Sequence, residues 1–156
     1  MTDRRSFLKK SGALAAMTLA SASGLKAGNL SGTRPERIIP RRLKKGDVIG
    51  LVTPGSSVNE EELNEFIIKL EDLGFRATYN DSVLSEYGYF AGKDQERASE
   101  LMDMFARDDV DAIWCVRGGY GSIRILDLLD YEQIRKHPKV FMGYSDITAL
   151  HTAIYQ

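Results

Sequence analysis

The sequence predicts an α/β fold in which an open, mostly parallel sheet carries helices on both faces. Three observations support this prediction. Short apolar runs alternate along the chain with stretches whose apolar residues recur at helical spacing. The runs are apolar at consecutive positions, as strands covered on both faces require. Such alternation of strands and helices is typical of parallel pairing with crossover connections.

Two strand–helix pairs are predicted in the first half of the folded region. The run "VIGLV" (48–52) predicts the first strand, and residues 60–74 predict an amphipathic helix that a glycine ends. The weaker run "FRATY" (75–79) predicts the second strand. Residues 94–109 predict the next helix, with Asp94 as its candidate N-cap.

Two further strands are predicted in the second half. The run "DAIWCV" (111–116) predicts the third strand, which contains the single cysteine as a core residue. The stretches "IRILDLL" and "DYEQIRKHP" predict helices, and "KVFMG" (139–143) predicts the fourth strand. Ser145 opens the next predicted helix, whose buried face we expect to contain Ile147, Leu150 and Ile154.

Composition limits the classes of protein that fit. The chain has 156 residues, of which 43% are hydrophobic and 28% charged, enough for one globular domain. The net charge of −1 provides no basic field, so we expect no nucleic-acid partner. One cysteine cannot form an internal disulfide, so the fold is expected to need none.

The N-terminus resembles an export signal. Arg4 and Arg5 precede Phe7 and a short apolar stretch, which is the order of a twin-arginine signal peptide, here residues 1–22. A short amphipathic helix is the alternative. The apolar stretch is too short to span a membrane, so we expect a periplasmic protein without a membrane span. Residues 23–45 are predicted to be a linker.

Three glycine- and serine-rich loops follow predicted strands. They are "TPGSS" (53–57), "RGGYG" (117–121) and "GYSD" (143–146). In an open parallel sheet, ligands bind beyond the carboxyl ends of the strands. We therefore expect these three loops to form the functional site.

Ser145 stands at a predicted strand-to-helix turn. The stretch from Gly143 to Asp146 resembles a nucleophile elbow, although Ile147 occupies the position of the usual second glycine. Backbone N–H groups at the start of a helix can stabilise an oxyanion. A serine that only caps the helix explains the same pattern, so this motif alone leaves both interpretations open.

The glycine-rich loop is the second motif. Gly118, Gly119 and Gly121 allow the backbone to approach a ligand closely. A phosphate-binding loop is the rival interpretation, but the stretch lacks the Gly-Lys-Ser/Thr ending of a P-loop. Arg117 is a candidate bidentate partner for a carboxylate, or else a surface charge.

The two histidines do not complete a catalytic site. His137 precedes Pro138, and we expect it to face solvent. His151 lies six residues after Ser145, nearly two helical turns away, which makes it a poor base for that serine. The sequence shows no His, Cys, Asp or Glu cluster with metal-ligand spacing, so we expect no metal and no cofactor.

Three stretches together resemble the N-terminal half of the LD-carboxypeptidase family of serine peptidases, to which microcin-immunity hydrolases also belong. They are "GDVIGLVTPGSSV", "RGGYGSIRILDLLDY" and "KVFMGYSDITALH". Their order and spacing are those of the family. The resemblance implies a flavodoxin-like domain, similar to the N-terminal domain of class I glutamine amidotransferases, over residues 46–156.

The resemblance also implies an activity and a set of site residues. Ser145 would be the nucleophile, and the backbone amides of Gly119 and Asp146 would form the oxyanion hole. Candidate substrate contacts are Ser56, Arg117, Gly118 and Tyr120. The substrate would be a murein tetrapeptide, from which the enzyme releases terminal D-alanine by cutting an L,D bond.

The family places its catalytic Glu and His in a C-terminal domain. We therefore expect the domain at 46–156 to be truncated and nearly inactive by itself, and the full-length protein to be active and to form a homodimer. A microcin-immunity-type amidohydrolase is the alternative within the family. A non-catalytic module that binds a peptide or nucleotide is the alternative outside it.

Overall fold

A computed structural model describes residues 37–155. Four strands form one sheet: β1 (Val48–Val52), β2 (Arg76–Thr78), β3 (Ala112–Cys115) and β4 (Val140–Met142). Their order is β2-β1-β3-β4, and every neighbouring pair is parallel. The predicted α/β class and all four predicted strands are therefore confirmed, with β2, β3 and β4 shorter at both ends than expected.

Four α-helices and three 3₁₀ segments connect and follow these strands in the described part of the chain. The α-helices are α1 (Glu60–Asp72), α2 (Asp94–Ala106), α3 (Tyr131–Lys136) and α4 (Thr148–Tyr155). The 3₁₀ segments are Asp81–Leu84, Ser122–Leu128 and Ser145–Ile147. The stretch "IRILDLL", predicted to be helical, is thus a 3₁₀ helix rather than an α-helix.

Helix α1 begins with a reciprocal pair of hydrogen bonds. The Glu62 amide donates to Asn59 Oδ1 at 2.8 Å, and the Asn59 amide donates to Glu62 Oε2 at 3.1 Å. This capping box satisfies two N–H groups that have no acceptor within the helix. The start of the helix at residue 60 therefore follows from the sequence, as predicted.

Helix α2 begins at residue 94 as predicted, but its N-cap residue and its end differ from the prediction. Lys93 holds the N-cap position, and Asp94 is the first helical residue rather than the cap. The Asp94 carboxylate instead accepts hydrogen bonds from Arg97 and Arg124. The helix ends at Ala106, three residues before the predicted end, because Arg107 is extended and closes a turn with Val110.

Apolar residues lie on both faces of the sheet. Along β1, Ile49 and Leu51 belong to a cluster under α1, whereas Val52 belongs to a cluster under α2, α3 and α4. Along β3, residues alternate between the same two clusters. Both faces are therefore covered, which explains why the strand sequences are apolar at consecutive positions.

The strand order places a topological switch point between β1 and β3. From β1 the chain crosses outward to β2 through α1, and it then returns through α2 to β3 on the other side of β1. Ile49 and Ala112 are paired across this point. In open α/β sheets, ligands bind at such a point beyond the carboxyl ends of the strands. The loops after β1 and β3 flank it here.

The N-terminal signal sequence predicted at residues 1–22 lies outside the described residues. Part of the predicted linker is described, and its residues contact the folded unit: Leu43 packs against the α1 cluster, and Arg41 forms ion pairs with Asp47 and Asp111. Over residues 37–155, none of the helices has the length and apolar character to cross a membrane.

Candidate active site

Hydrogen bonds connect the three loops at the carboxyl end of the sheet. The Ser56 amide donates to the Gly118 carbonyl at 3.2 Å, and the Tyr120 amide donates to Ser56 Oγ at 3.2 Å. The Ser122 amide donates to Asp146 Oδ2 at 2.8 Å. The loop after β3 is therefore bonded both to the loop after β1 and to the turn after β4, as the sequence predicted for one site.

Ser145 has an unusual backbone conformation. Its φ is +58°, and among residues 37–155 it is the only residue other than glycine with a positive φ. L-residues adopt this left-handed region at a cost of about 1–2 kcal/mol. Such strain concentrates at functional sites and is the geometry of a nucleophile elbow.

The turn around Ser145 does not use the serine as a helix cap. Tyr144 holds the N-cap position, and no side-chain capping hydrogen bond forms there. A Cβ on Gly143 would collide with the Ile147 side chain, so the turn is tight as well as strained. The helix-cap interpretation of Ser145 therefore does not describe this structure.

The glycine loop lies directly against the serine turn. A Cβ on Gly118 would stand 2.8 Å from the Tyr144 carbonyl, 3.1 Å from Ser145 Cβ and 3.4 Å from the Asp146 amide nitrogen. The Asp146 amide lies at the start of a 3₁₀ segment, where N–H groups have no acceptor within the helix. Glycine at 118 thus lets two backbone segments approach a common point beside the serine.

Gly119 has a positive φ of +80°, which favours glycine. A Cβ at this position would collide with the Ser56 side chain. Ser56 is itself buried, and its hydroxyl accepts the Tyr120 amide. In this structure Ser56 holds the glycine loop, and its predicted contact with substrate stays a prediction.

Arg117 and Tyr120 lie at the exposed side of the same loop. Arg117 Nη1 donates to Glu62 at 3.1 and 3.3 Å and to the Ser57 carbonyl at 3.3 Å. The Tyr120 ring is exposed and lies 6.2 Å from the Phe90 ring. A carboxylate ligand at Arg117 would therefore compete with Glu62.

An open groove runs along β4 beside the serine turn. Its volume is about 360 Å³, and it is lined by Trp114, Phe141, Met142, Gly143, Tyr144 and His151. The His151 ring meets Phe141 edge-on at 5.3 Å. His137 is half-buried at the end of α3. No group of three or more His, Cys, Asp and Glu side chains in the described ranges is arranged to hold a metal ion.

Sequence reasoning missed two buried charged residues on α2, Arg97 and Glu100. Glu100 accepts hydrogen bonds from the Ser82 hydroxyl at 2.8 Å and the Thr53 amide at 3.5 Å. Burial raises the pKa of the Glu100 carboxyl. A usable signal was present, since Arg97 lies four residues before Leu101 and Glu100 lies four residues before Met104, so both charges share the core-facing stripe.

The single cysteine is a core residue, as predicted. Cys115 lies at the end of β3 and is fully buried. Burial raises the pKa of its thiol well above the usual value. Because the thiolate is the nucleophilic form, this thiol is chemically inert in the folded protein.

Comparison with known proteins identifies the family. Residues 49–156 match the model of the LD-carboxypeptidase N-terminal domain. The chain is 44% identical over 117 residues to a probable murein peptide carboxypeptidase of Bacillus subtilis, covering 75% of this chain and 37% of that protein. It is 31% identical over 109 residues to the murein tetrapeptide carboxypeptidase of Pseudomonas aeruginosa, covering 69% and 36%. The chain belongs to the LD-carboxypeptidase family.

Solved structures agree with this assignment. A protein of Bacillus anthracis described as similar to MccF matches with a TM-score of 0.72 at 38% identity, covering 76% of this chain and 37% of that chain. The microcin C7 self-immunity protein MccF, solved with aspartyl sulfamoyl adenosine, matches with a TM-score of 0.71 at 30% identity, covering 76% and 36%. The chain spans little more than a third of the length of the relatives that it matches.

Proposed function

We propose that this chain supplies the nucleophile and the oxyanion-binding loops of a serine LD-carboxypeptidase. The substrate is a murein tetrapeptide, and the product is terminal D-alanine released from an L,D bond. The observation that carries the proposal is the strained backbone of Ser145, at the carboxyl end of β4 and in contact with the glycine loop. The names of two curated relatives, a murein peptide and a murein tetrapeptide carboxypeptidase, support the substrate class.

In the proposed reaction, Ser145 Oγ attacks the carbonyl carbon of the L,D bond. The carbonyl oxygen becomes an oxyanion that accepts hydrogen bonds from the Asp146 and Gly119 amides. Removal of one such donor typically costs about 3 kcal/mol of transition-state stabilisation. The loop bonds through Ser56 and Asp146 hold these donors in place before substrate arrives, so no reorganisation is required during the reaction.

A base must remove the proton from Ser145, because a free serine hydroxyl is a weak nucleophile. His151 is on α4, six residues after the serine, and its ring packs against Phe141 of β4. We therefore do not assign it the role of this base. The family resemblance implies a Glu and a His from a C-terminal domain. We propose that those residues activate Ser145 in the full-length gene product.

The test uses the full-length gene product that carries this chain. We expect Ser145→Ala to abolish release of D-alanine from murein tetrapeptide while substrate binding falls much less, because the hydroxyl acts mainly in the transition state. Ser99→Ala is the matched control, since Ser99 is an exposed serine on α2 and belongs to none of the three loops. Turnover near the wild-type level in Ser145→Ala would show that the nucleophile is misassigned.

A fluorophosphonate probe gives a second, substrate-independent test. We expect it to label wild-type and Ser99→Ala protein at Ser145, and to leave Ser145→Ala unlabelled. Peptide mapping by mass spectrometry identifies the modified residue. Labelling at another serine would contradict the assignment of Ser145.

A microcin-immunity-type amidohydrolase is the second candidate. It is favoured by the structural similarity to MccF, which has been solved with aspartyl sulfamoyl adenosine and glutamyl sulfamoyl guanosine. The two candidates use the same serine but differ in leaving group. Parallel assays with murein tetrapeptide and an aminoacyl sulfamoyl adenosine distinguish the two candidates. The carboxypeptidase proposal predicts the larger kcat/KM for the tetrapeptide, and a larger value for the nucleotide substrate would favour the amidohydrolase.

We also propose export by the twin-arginine route to the periplasm, from the sequence of residues 1–22. Replacing Arg4 and Arg5 by lysine is expected to retain the protein in the cytoplasm. Mature wild-type protein outside the cytoplasm is expected to begin near Ser23. Cell fractionation with N-terminal sequencing checks both points, and unprocessed wild-type protein in the cytoplasm would refute the export proposal.

A further inference from the structure

Arg97 is a fully buried arginine at the base of the candidate active site. Its side chain is on α2, and its guanidinium donates to three backbone carbonyls and to the Asp94 carboxylate. A buried charge is costly unless hydrogen bonds and a counter-ion compensate it. Since a well-packed apolar side chain is often at least as stabilising at such a position, the presence of a guanidinium here needs a geometric reason.

The hydrogen bonds of Arg97 reach three different loops. Its Nη1 donates to the carbonyls of Pro54, in the loop after β1, and Gly121, at the end of the glycine loop. Its Nε donates to the Gly92 carbonyl, in the segment before α2, at 3.2 Å. The planar guanidinium fixes the directions of these donors relative to one another.

The remaining contacts of Arg97 hold the guanidinium itself in place. Asp94, one turn earlier on α2, accepts a hydrogen bond from Nη2 and provides the counter-charge. Hydrogen bonds from Arg124 and from Arg97 lower the pKa of the Asp94 carboxyl. The Phe90 ring lies 5.1 Å from the Arg97 guanidinium carbon. The Asp94 carboxylate and the Phe90 ring therefore both hold the Arg97 guanidinium in position.

We infer that Arg97 is a positioning residue that sets the distance between the loop after β1 and the glycine loop, and so places the oxyanion-binding amide of Gly119. The inference rests on the proposed function for its effect on catalysis. Arg97 bonds Pro54, two residues before Ser56, and the Ser56 hydroxyl accepts the Tyr120 amide of the glycine loop. Arg97 also bonds Gly121, at the end of that loop. A shift of about 1 Å in a catalytic group can reduce the rate by about 10²-fold.

The test compares Arg97→Lys with Arg124→Lys in the full-length gene product. Lysine at 97 keeps the positive charge but cannot reproduce the fixed fork of donors. Arg124 is the matched control, because it bonds the same Asp94 and lies 5.2 Å from the same Phe90 ring but is half-exposed. We expect kcat to fall about 10²-fold in Arg97→Lys with KM changed by less than about threefold, and neither value to change as much in Arg124→Lys.

Amide hydrogen exchange provides a readout that does not depend on activity. In Arg97→Lys we expect faster exchange at the amides of Ser56, Tyr120 and Ser122, with the amides of β1 and β3 unchanged. A merely structural role predicts faster exchange throughout the core and a lower Tm without a selective loss of kcat. Unchanged exchange at the three loop amides, or an unchanged kcat, would overturn the inference.

The outcomes separate this inference from the proposed function. If Ser145→Ala keeps wild-type turnover while Arg97→Lys selectively speeds exchange in the loops, the proposed nucleophile is wrong and the positioning of the loops by Arg97 stands. If Ser145→Ala is inactive and Arg97→Lys behaves as the Arg124→Lys control does in both assays, the proposed function stands and the inference about Arg97 is wrong.

Discussion

At the amino end of the sheet, charged side chains form ion pairs beside β1, whereas at the carboxyl end three loops are hydrogen-bonded to one another. Arg41 bonds Asp47 and Asp111 at the amino end, where its own side chain is half-exposed. At the carboxyl end, the partners are Ser56, the glycine loop and Asp146. One end relies on the ion pairs of a half-exposed arginine, and the other relies on close backbone contact.

Two glycines with similar positive φ angles illustrate the difference between the two ends. Gly46 at the amino end has a φ of +87°, and a Cβ there would have no neighbour within 4 Å. Gly119 at the carboxyl end has a φ of +80°, and a Cβ there would collide with Ser56. Position 46 therefore needs only a residue that tolerates a positive φ. Position 119 also needs a residue without a Cβ, because the Ser56 side chain fills that space. Close packing of this kind holds backbone N–H donors in fixed positions, as a preorganised oxyanion site requires.

The largest effect is expected for Gly119→Ala compared with Gly46→Ala. Both changes place an alanine at positive φ, at a cost of about 1–2 kcal/mol. Only Gly119→Ala adds overpacking against Ser56, which typically costs a further 1–3 kcal/mol or so. We also expect Gly119→Ala to reduce kcat by about 10²-fold or more. Urea denaturation and steady-state kinetics check this pair, and equal losses of stability would contradict the close contact with Ser56.

The next effect concerns the strain at Ser145. Ser145→Gly and Ser145→Ala both remove the hydroxyl and are expected to be inactive. Only glycine relieves the positive φ, so the free energy of unfolding of Ser145→Gly should exceed that of Ser145→Ala by about 1 kcal/mol. Denaturant titration of the two variants measures this difference. Identical stabilities would mean that the backbone at 145 stores no strain.

The dependence of stability on pH should have opposite signs at the two ends. The pKa of Asp111 at the amino end is lowered, first by the hydrogen bond from the Val48 amide and also by Arg41. Its contribution is therefore present above its unfolded pKa of about 3.9 and is lost as pH falls through the lower folded value. Burial raises the pKa of Glu100 below the β1 loop, so its contribution is fully present below about pH 4.3 and declines as pH rises through the folded value.

Isosteric amides separate these two contributions. Asp111→Asn should flatten the loss of stability on the acid side, and Glu100→Gln should flatten the decline at higher pH and stabilise the protein near neutrality. The measurement is the free energy of unfolding between about pH 3 and pH 8. A steeper decline at higher pH in Glu100→Gln would show that the buried carboxyl does not favour its protonated form.

The smallest effect is expected for Arg41→Gln. This change removes both ion pairs of the half-exposed Arg41, with the buried Asp47 and the partly buried Asp111, and leaves the loops of the active site untouched. Because Arg41 is half-exposed, salt screens its charge, so the difference from wild type should shrink at about 1 M salt. The part that remains is the cost of leaving the buried Asp47 carboxylate without its ion-pair partner. Thermal melting at low and high salt checks this. A large decrease in Tm that does not depend on salt would mean that the amino end contributes as much to stability as the carboxyl end.

The sequence predicted the parts of the fold that depend on local patterns. The strand at 48–52 is observed with the same bounds, because consecutive apolar residues between polar turns allow few alternatives. The start of α1 at residue 60 follows from the capping box of Asn59 and Glu62. The end of α2 was wrong by three residues, since the turn formed by Arg107 and Val110 has no strong sequence signal.

Parts of the site that depend on long-range contacts could not be predicted in the same way. The sequence indicated which loops would meet, because three strands end in glycine- and serine-rich segments. It did not show that Ser56 would hold Tyr120 or that Arg97 would be buried, because those contacts join residues 64 and 43 positions apart. A charged residue on a helix normally faces water, so its burial is decided by the partners that tertiary structure brings to it.

The position of β1 inside the sheet has a consequence for synthesis on the ribosome. β1 emerges first, yet its Val48 amide bonds Asp111, which lies 63 residues further along the chain. Until β3 has been made, one edge of β1 has no partner, and only β2 can pair with it. A nascent chain of this protein therefore exposes an apolar strand edge until β3 has been translated, and slowing elongation between β2 and β3 would lengthen the period in which that edge can meet other chains.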